Sequence, residues 1–492
     1  MNFATAIDQE SKLTLTENGA TAVNTTDSKV LDLFSTIGAL RNADDTRIQR
    51  LFADAYAEEK TLATRCLFYA RDIRGGLGER ATFRKLLNYA AKYHQEAIRK
   101  NIALIPEYGR WDDLYALVGT PLEDDMWKLV KNQLNTDQVQ MVSGLPVSLL
   151  AKWLKTPDAS SKETRALGLL TAKKLGLAEK SYKHVLRSLR KYLKVTEVTM
   201  SANEWDWIEY SKVPARAGML YRNAFMRHDT DRFRKFLDAV NKGEAKVNAG
   251  TLYPYDIIEK YTGTNTWYMD FKNLKQDDML EAQWKALPNY VEGNANALVI
   301  ADTSGSMSGR PMASAIGLAI YFAERNTGAY HNLWMSFSAD SKVQKLKGET
   351  LAQKLDSIDT EHWQSNTNLE RAFTHILNIA LKNNVPADEM VKSLIVISDM
   401  EIDQCADKSW LFYDAMKKRY AEAGYEIPNV VFWNVDSRHD IFHADGKRKG
   451  VQLCSGQSAS TFKTLMASIG MTPIEMMVKT LNDKRYEKIT VE

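Results

Sequence analysis

Ala297-Leu298-Val299-Ile300-Ala301-Asp302-Thr303-Ser304-Gly305-Ser306 is the stretch on which the reading of this chain turns. Five apolar residues in an unbroken run predict a buried strand. The strand ends on a carboxylate, and the hydroxyls of Ser304 and Ser306 follow at alternate positions. Three hard oxygen donors at a strand end can be pointed at one divalent cation, so metal binding is the first expectation. The competing reading makes Asp302 the cap of a helix beginning near Pro311, with the serines closing turns.

Further strand-like runs follow at Leu333 to Phe337, Leu394 to Ser398, Val430 to Val435 and Val451 to Cys454. They alternate with helical patterns near Met312 to Glu324, Leu369 to Leu381, Ser409 to Ala423 and Ile474 to Leu481. This alternation predicts a doubly wound α/β domain over residues 294–492, with ligands at the carboxyl ends of a mainly parallel sheet. Asp302 falls at such an end, and so does Asp399 in Ser393-Leu394-Ile395-Val396-Ile397-Ser398-Asp399. Between them, Ser365-Asn366-Thr367-Asn368-Leu369 opens a helical pattern and offers Thr367.

In this order the three segments resemble the metal-ion-dependent adhesion site of von Willebrand factor A domains. The resemblance implies that Asp302, Ser304, Ser306, Thr367 and Asp399 hold Mg or Mn, some of them through water, with one position left for a partner's acidic oxygen. Asn366 stands where that family often has glycine, a departure that touches the loop carrying Thr367.

The first half has a different texture. Residues 1–28 are polar and read as an extended lead. Residues 29–261 are almost entirely helical in pattern: Asp45 to Ala57, Leu62 to Ala70, Arg80 to Tyr93, Glu96 to Ile105, Leu149 to Trp153, Arg165 to Leu175, Tyr182 to Leu193 and Asp231 to Val240. Turns with Gly or Pro separate them, which predicts stacked antiparallel helices of the HEAT-like repeat kind. Residues 262–293 read as a connector. No apolar run approaches the length of a membrane span, so no membrane partner is expected and the expected placement is cytoplasmic. Three cysteines without CxxC spacing indicate neither a disulfide framework nor a zinc site.

The net charge of +3 hides a local excess, because residues 151–200 carry 12 Lys and Arg against 4 Asp and Glu. Within that window Lys183, Arg187, Arg190, Lys191 and Lys194 recur at helical spacing opposite the apolar stripe of Tyr182, Val185, Leu186, Leu189, Tyr192 and Leu193. Five cations with no intervening acid suit a polyanion, whereas a plain solvated face is the alternative. Arg71 and Arg74 flank a glycine-rich turn, and Arg110 precedes Trp111. The first two suit phosphate contact, or a structural turn with Asp72 and Glu79 as ion-pair partners; Trp111 beside Arg110 suits stacking on a base, or anchors helix packing.

Taken together, Leu15-Thr16-Glu17-Asn18-Gly19, Arg71-Asp72-Ile73-Arg74-Gly75-Gly76 and Gly109-Arg110-Trp111-Asp112-Asp113-Leu114, followed by the adhesion-type segments, are similar to the TROVE proteins typified by the Ro autoantigen. A sister family of the same layout looks closer still, through Ala151-Lys152-Trp153-Leu154, Leu189-Arg190-Lys191-Tyr192-Leu193 and Tyr210-Ser211-Lys212-Val213-Pro214-Ala215-Arg216. The resemblance implies a ring of helical repeats closed by the von Willebrand A domain, binding noncoding or structured RNA in a ribonucleoprotein. The expectation is therefore a non-catalytic RNA-binding scaffold with a divalent-metal site. The alternative is a metal-dependent protein-interaction module without RNA.

Overall fold

The computed structural model describes residues 10–491 apart from 264–268, 292–295, 338–340, 362, 364–365 and 405–410. Cys405 and the first residues of the helical pattern from Ser409 therefore lie outside the described residues, and the helix there runs Phe412–Glu422. The chain is helix-rich through its first half and ends in a six-stranded mixed sheet. Near the start, β1 (Leu13–Leu15) and β2 (Thr21–Val23) pair antiparallel. Residues 13–23 thus form a hairpin where the sequence reads as an extended lead.

The sheet comprises β3 (Ala297–Asp302), β4 (Leu333–Phe337), β5 (Ser341–Lys345), β6 (Ser393–Ser398), β7 (Asn429–Asn434) and β8 (Val451–Ser455). Its order is β5-β4-β3-β6-β7-β8, with only the edge strand β5 antiparallel. Period-two alternation divides each central strand between two cores. Ala297, Val299 and Ala301 of β3, Ile395 and Ile397 of β6, and Val431 and Trp433 of β7 enter one core. Leu298, Ile300, Leu394, Val396, Val430 and Phe432 enter the other, beneath the helices Leu369–Lys382 and Phe412–Glu422. With both faces covered, no polar alternation survives in β3 and β6, which is why they read as continuous apolar runs.

The first core does not stop at the domain boundary suggested by the sequence. It continues from Trp433 and Phe462 through the helix Arg310–Arg325 into Phe34, Leu67, Phe68 and Tyr108 of the helical half. The contact is close enough that a Cβ on Gly38 would sit 2.6 Å from the Cα of Gly456. Gly38 N–H donates to Ser455 Oγ at 3.0 Å, and Ser437 N–H to the Ala39 carbonyl at 2.9 Å. The chain end returns as well: Tyr486 stacks on Tyr108 at 5.7 Å, and its hydroxyl donates to buried Asp72 at 3.0 Å. Residues 254–262 and 278–285 meet the sheet domain as well. Helix Pro254–Thr262 packs on Arg310–Arg325, and Trp284 of helix Asp278–Lys285 donates to Glu324 at 2.7 Å. The stretch read as a connector therefore supplies a buried helix.

The helical half touches the α/β half through residues near its beginning and its end. Where residues 73–74, 250–254, 287–288, 290 and 458–460 converge there is a small cavity of about 20 Å³. That is room for a water molecule. No helix among the described residues is long and apolar enough to cross a membrane.

Candidate metal centre and basic surface

The order of the sheet places the site. From β3 the chain moves to β4 on one side and later to β6 on the other, so β3 and β6 are neighbouring parallel strands at which the winding reverses. The crevice beyond the carboxyl ends of such strands is where open α/β sheets bind ligands. Asp302 closes β3 there, and Asp399 follows β6 directly.

The side chains are tied to one another. Asp302 Oδ1 accepts the Ser304 N–H at 2.9 Å, and Oδ2 accepts the Ser398 hydroxyl at 2.6 Å. Ser304 and Ser306 approach Oγ to Oγ at 3.1 Å, with Ser304 buried and Ser306 exposed. Asp399 Oδ1 accepts the Glu401 N–H at 3.1 Å, and Oδ2 takes the Arg438 guanidinium at 2.6 Å. Thr367 is buried on the same side of the domain, where its N–H donates to Asp403 Oδ1 at 3.2 Å and its carbonyl accepts from Asp403 N–H at 2.9 Å. These bonds tie Thr367 to the segment that follows Asp399, through Asp403, rather than to either carboxylate directly. The helix that follows β3 is capped by Gly309, so Asp302 is not its cap.

Burial, reinforced by the charge of Asp399, pushes the Asp302 carboxyl up to about 7. Two buried carboxylates converge, and among the described residues one guanidinium, Arg438, answers them. A hard divalent cation would supply the missing charge, and carboxylate plus hydroxyl oxygens are the donors such an ion takes. The residues present therefore fit Mg or Mn. Arg438 was not foreseen: it lies 39 residues beyond Asp399 in a polar loop with no local pattern to mark it.

The basic candidates fare unequally. Helix Glu179–Tyr192 carries four of the five cations and Lys194 follows its end, with Tyr182, Leu186 and Leu189 buried beneath. Arg190 is spent internally, donating to the Ala151 and Leu154 carbonyls at 2.8 Å each, where it caps the short helix Leu150–Trp153. Lys183 pairs with Glu179 at 3.2 Å and Lys194 with Glu209 at 2.8 Å. Arg187 and Lys191 are exposed one turn apart, with no acidic partner among the described residues. Arg71 is buried against Asp113 at 2.7 Å, so it is a core ion-pair member and presents nothing to a phosphate. Arg110 chelates Asp112 and lies over the Trp153 ring at 3.9 Å. Arg74 is exposed and donates to the Glu107 carbonyl at 3.3 Å. Trp111 is partly buried and packs against the first core.

Residues 16–143 and 143–295 match the family described as Domain of unknown function (DUF2828). The chain belongs to the DUF2828 family. Residues 296–490 of this DUF2828 protein match a second description, Domain of unknown function (DUF7788), so the five candidate metal ligands all lie in the DUF7788 segment. The chain is also similar to Uncharacterized protein L728 of Acanthamoeba polyphaga mimivirus, 29% identical over 512 residues, covering 95% of this chain and 87% of the viral protein.

Proposed function

We propose that this DUF2828 protein is a non-catalytic binding scaffold with a von Willebrand factor A-type metal site. Asp302, Ser304, Ser306, Thr367 and Asp399 would hold Mg or Mn, and the ion would supply an electrophilic position for an acidic oxygen of a partner protein. The observation that carries this reading is the convergence of two buried carboxylates with a deficit of positive charge at the reversal point of the sheet. The chain's own residues do the rest. Ser398 and the Ser304 N–H orient Asp302, and Arg438 holds Asp399.

Titration calorimetry on the metal-stripped full chain tests this. One Mg or Mn per chain at the Asp302 site is expected, together with partner association in extracts of the native source that EDTA reverses. Failure to bind either ion at millimolar concentration removes the reading.

RNA binding is a second reading, favoured by Arg187 and Lys191, which are exposed without an acidic partner among the described residues on a helix whose net charge is strongly positive. Reversing both, Arg187→Glu with Lys191→Glu, is expected to weaken RNA uniformly across sequences and to lower the log–log salt slope by about 1.5 to 2. An unchanged slope in filter binding at matched salt would exclude this helix as the RNA face.

A further inference from the structure

Glu17, Glu401 and His439 are far apart in sequence and meet beside the first site. Glu17 lies in the loop of the N-terminal hairpin, Glu401 two residues past Asp399, and His439 in the segment after β7. His439 Nδ1 is 2.9 Å from Glu401 Oε1 and 3.6 Å from Glu17 Oε1. One ligand atom from each of the three lies within 4.8 Å of the others. Donors about 2.1 Å from a tetrahedral zinc ion stand about 3.4 Å apart, so two of the three edges already lie within about half an ångström of that spacing.

The oxygens that would face away from an ion are already held. Glu17 Oε2 accepts Arg438 Nη1 at 2.7 Å, and Glu401 Oε2 accepts the Glu17 N–H at 2.7 Å. Outer partners of this sort fix the orientation of metal-ligating carboxylates. Electrostatics point the same way. Glu17 and Asp399 share one guanidinium, Arg438, and Glu401 adds a third carboxylate beside them, which leaves a negative excess. Glu401 is buried, whereas the Glu17 and His439 side chains are 42% and 52% exposed, so an ion has a route in.

We propose that Glu17, Glu401 and His439 form a second cation site for a borderline transition ion of the zinc type, which clamps the N-terminal hairpin onto the α/β half. An imidazole nitrogen with two carboxylate oxygens selects such an ion over Mg. Without it the hairpin is held by the burial of Ala20, Ala22 and Val23, by the Glu17–Arg438 ion pair and by further polar contacts. Thr16 Oγ1 donates to the Ile402 carbonyl at 2.7 Å, Asn18 Nδ2 to the Glu401 carbonyl at 2.6 Å, and Gln404 N–H to the Asn18 carbonyl at 3.1 Å. Backbone bridges join Gly19 to Asp403 and Val23 to Phe442. The inference stands on residues other than the five proposed for Mg or Mn, and it survives if that first site fails.

The test uses the metal-stripped full chain, titrated with Zn2+ and separately with Mg2+, together with hydrogen exchange across residues 13–23. One Zn2+ per chain is expected. His439→Gln and Glu17→Gln are each expected to weaken it about tenfold or more, since each removes a ligand. Zn2+ should slow exchange of the hairpin in the parent and not in His439→Gln, while Asp302→Asn should lose Mg2+ and keep Zn2+. Zn2+ affinity unchanged in both ligand variants, or hairpin exchange indifferent to Zn2+, overturns the proposal whatever Mg2+ does. A parent that binds Zn2+ but not Mg2+ would overturn only the first site.

Discussion

Asp302→Asn is expected to lower Mg and Mn affinity about a hundredfold or more, and to stabilise the metal-free protein by about 1–3 kcal/mol at pH 8. The two effects share one cause. Asparagine keeps the geometry, because its carbonyl can accept the Ser304 N–H and its amide can donate to the Ser398 hydroxyl. What it removes is a buried negative charge beside Asp399, needed by a cation and costly without one. Burial and Asp399 push the folded-state carboxyl up to about 7, while an unfolded aspartate titrates near pH 3.9. Between those values the folded chain binds more protons than the unfolded one, so this group's cost grows as pH rises from about 4 to about 7 and is constant above. Urea unfolding in EDTA should therefore show the Asp302→Asn variant gaining on the parent between about pH 5 and about pH 8. A variant less stable than the parent at pH 8 would mean the carboxylate is not a liability, and the main argument for a cation would fall with it.

The α/β half was legible because its signals are local. A buried parallel strand needs apolar residues on both faces, so Ala297 to Ala301 and Leu394 to Ile397 declare themselves without reference to the rest of the chain. Edge strand β5 did not: Ser341-Lys342-Val343-Gln344-Lys345 is half exposed and polar, and only its pairing with β4 makes it a strand. The helix Glu123–Val142 escaped for a related reason. Its buried apolar residues Met126, Trp127, Val130 and Leu134 all lie within its first twelve residues, and Val139 and Val142 near its end are exposed. Helix Asp278–Lys285 within the connector was not legible because it buries polar Glu281 and Gln283 among its apolar residues, which blurs any stripe.

The site divides along the same line. Asp302, Ser304 and Ser306 stand at alternate positions, and Asp399 ends a strand of its own, so pattern alone put them forward. Arg438 and His439 sit in a stretch that reads as an ordinary polar loop, yet with Glu17 they reach the same crevice across 38 to 421 residues of chain. The basic helix shows the converse. Spacing made five cations equivalent, yet Arg190 caps a neighbouring helix through two carbonyls and only Arg187 and Lys191 remain exposed without an acidic partner among the described residues. Whether an arginine faces phosphate or its own backbone is decided by what packs against its helix.

The same question, pressed on Arg71, yields the largest expected loss of stability: Asp113→Ala should cost about 3–5 kcal/mol. Asp113 is fully buried and accepts from Arg71 Nε and Arg84 Nε at 2.7 Å each and from the Arg110 N–H at 2.9 Å. Arg71 is itself 2% exposed, so truncating its partner strands a guanidinium that cannot turn to water. Arg71→Met should cost less, because Asp113 keeps Arg84 and the Arg110 N–H and methionine refills most of the volume. Combining the two changes in a double-mutant cycle should recover at least about 1 kcal/mol relative to the sum of the single losses. Chemical denaturation of the three variants at one pH decides the matter. An Asp113→Ala loss below about 1 kcal/mol, or strictly additive changes, would show that the pair is not what holds the glycine-rich turn at 71–80 against the 109–114 segment.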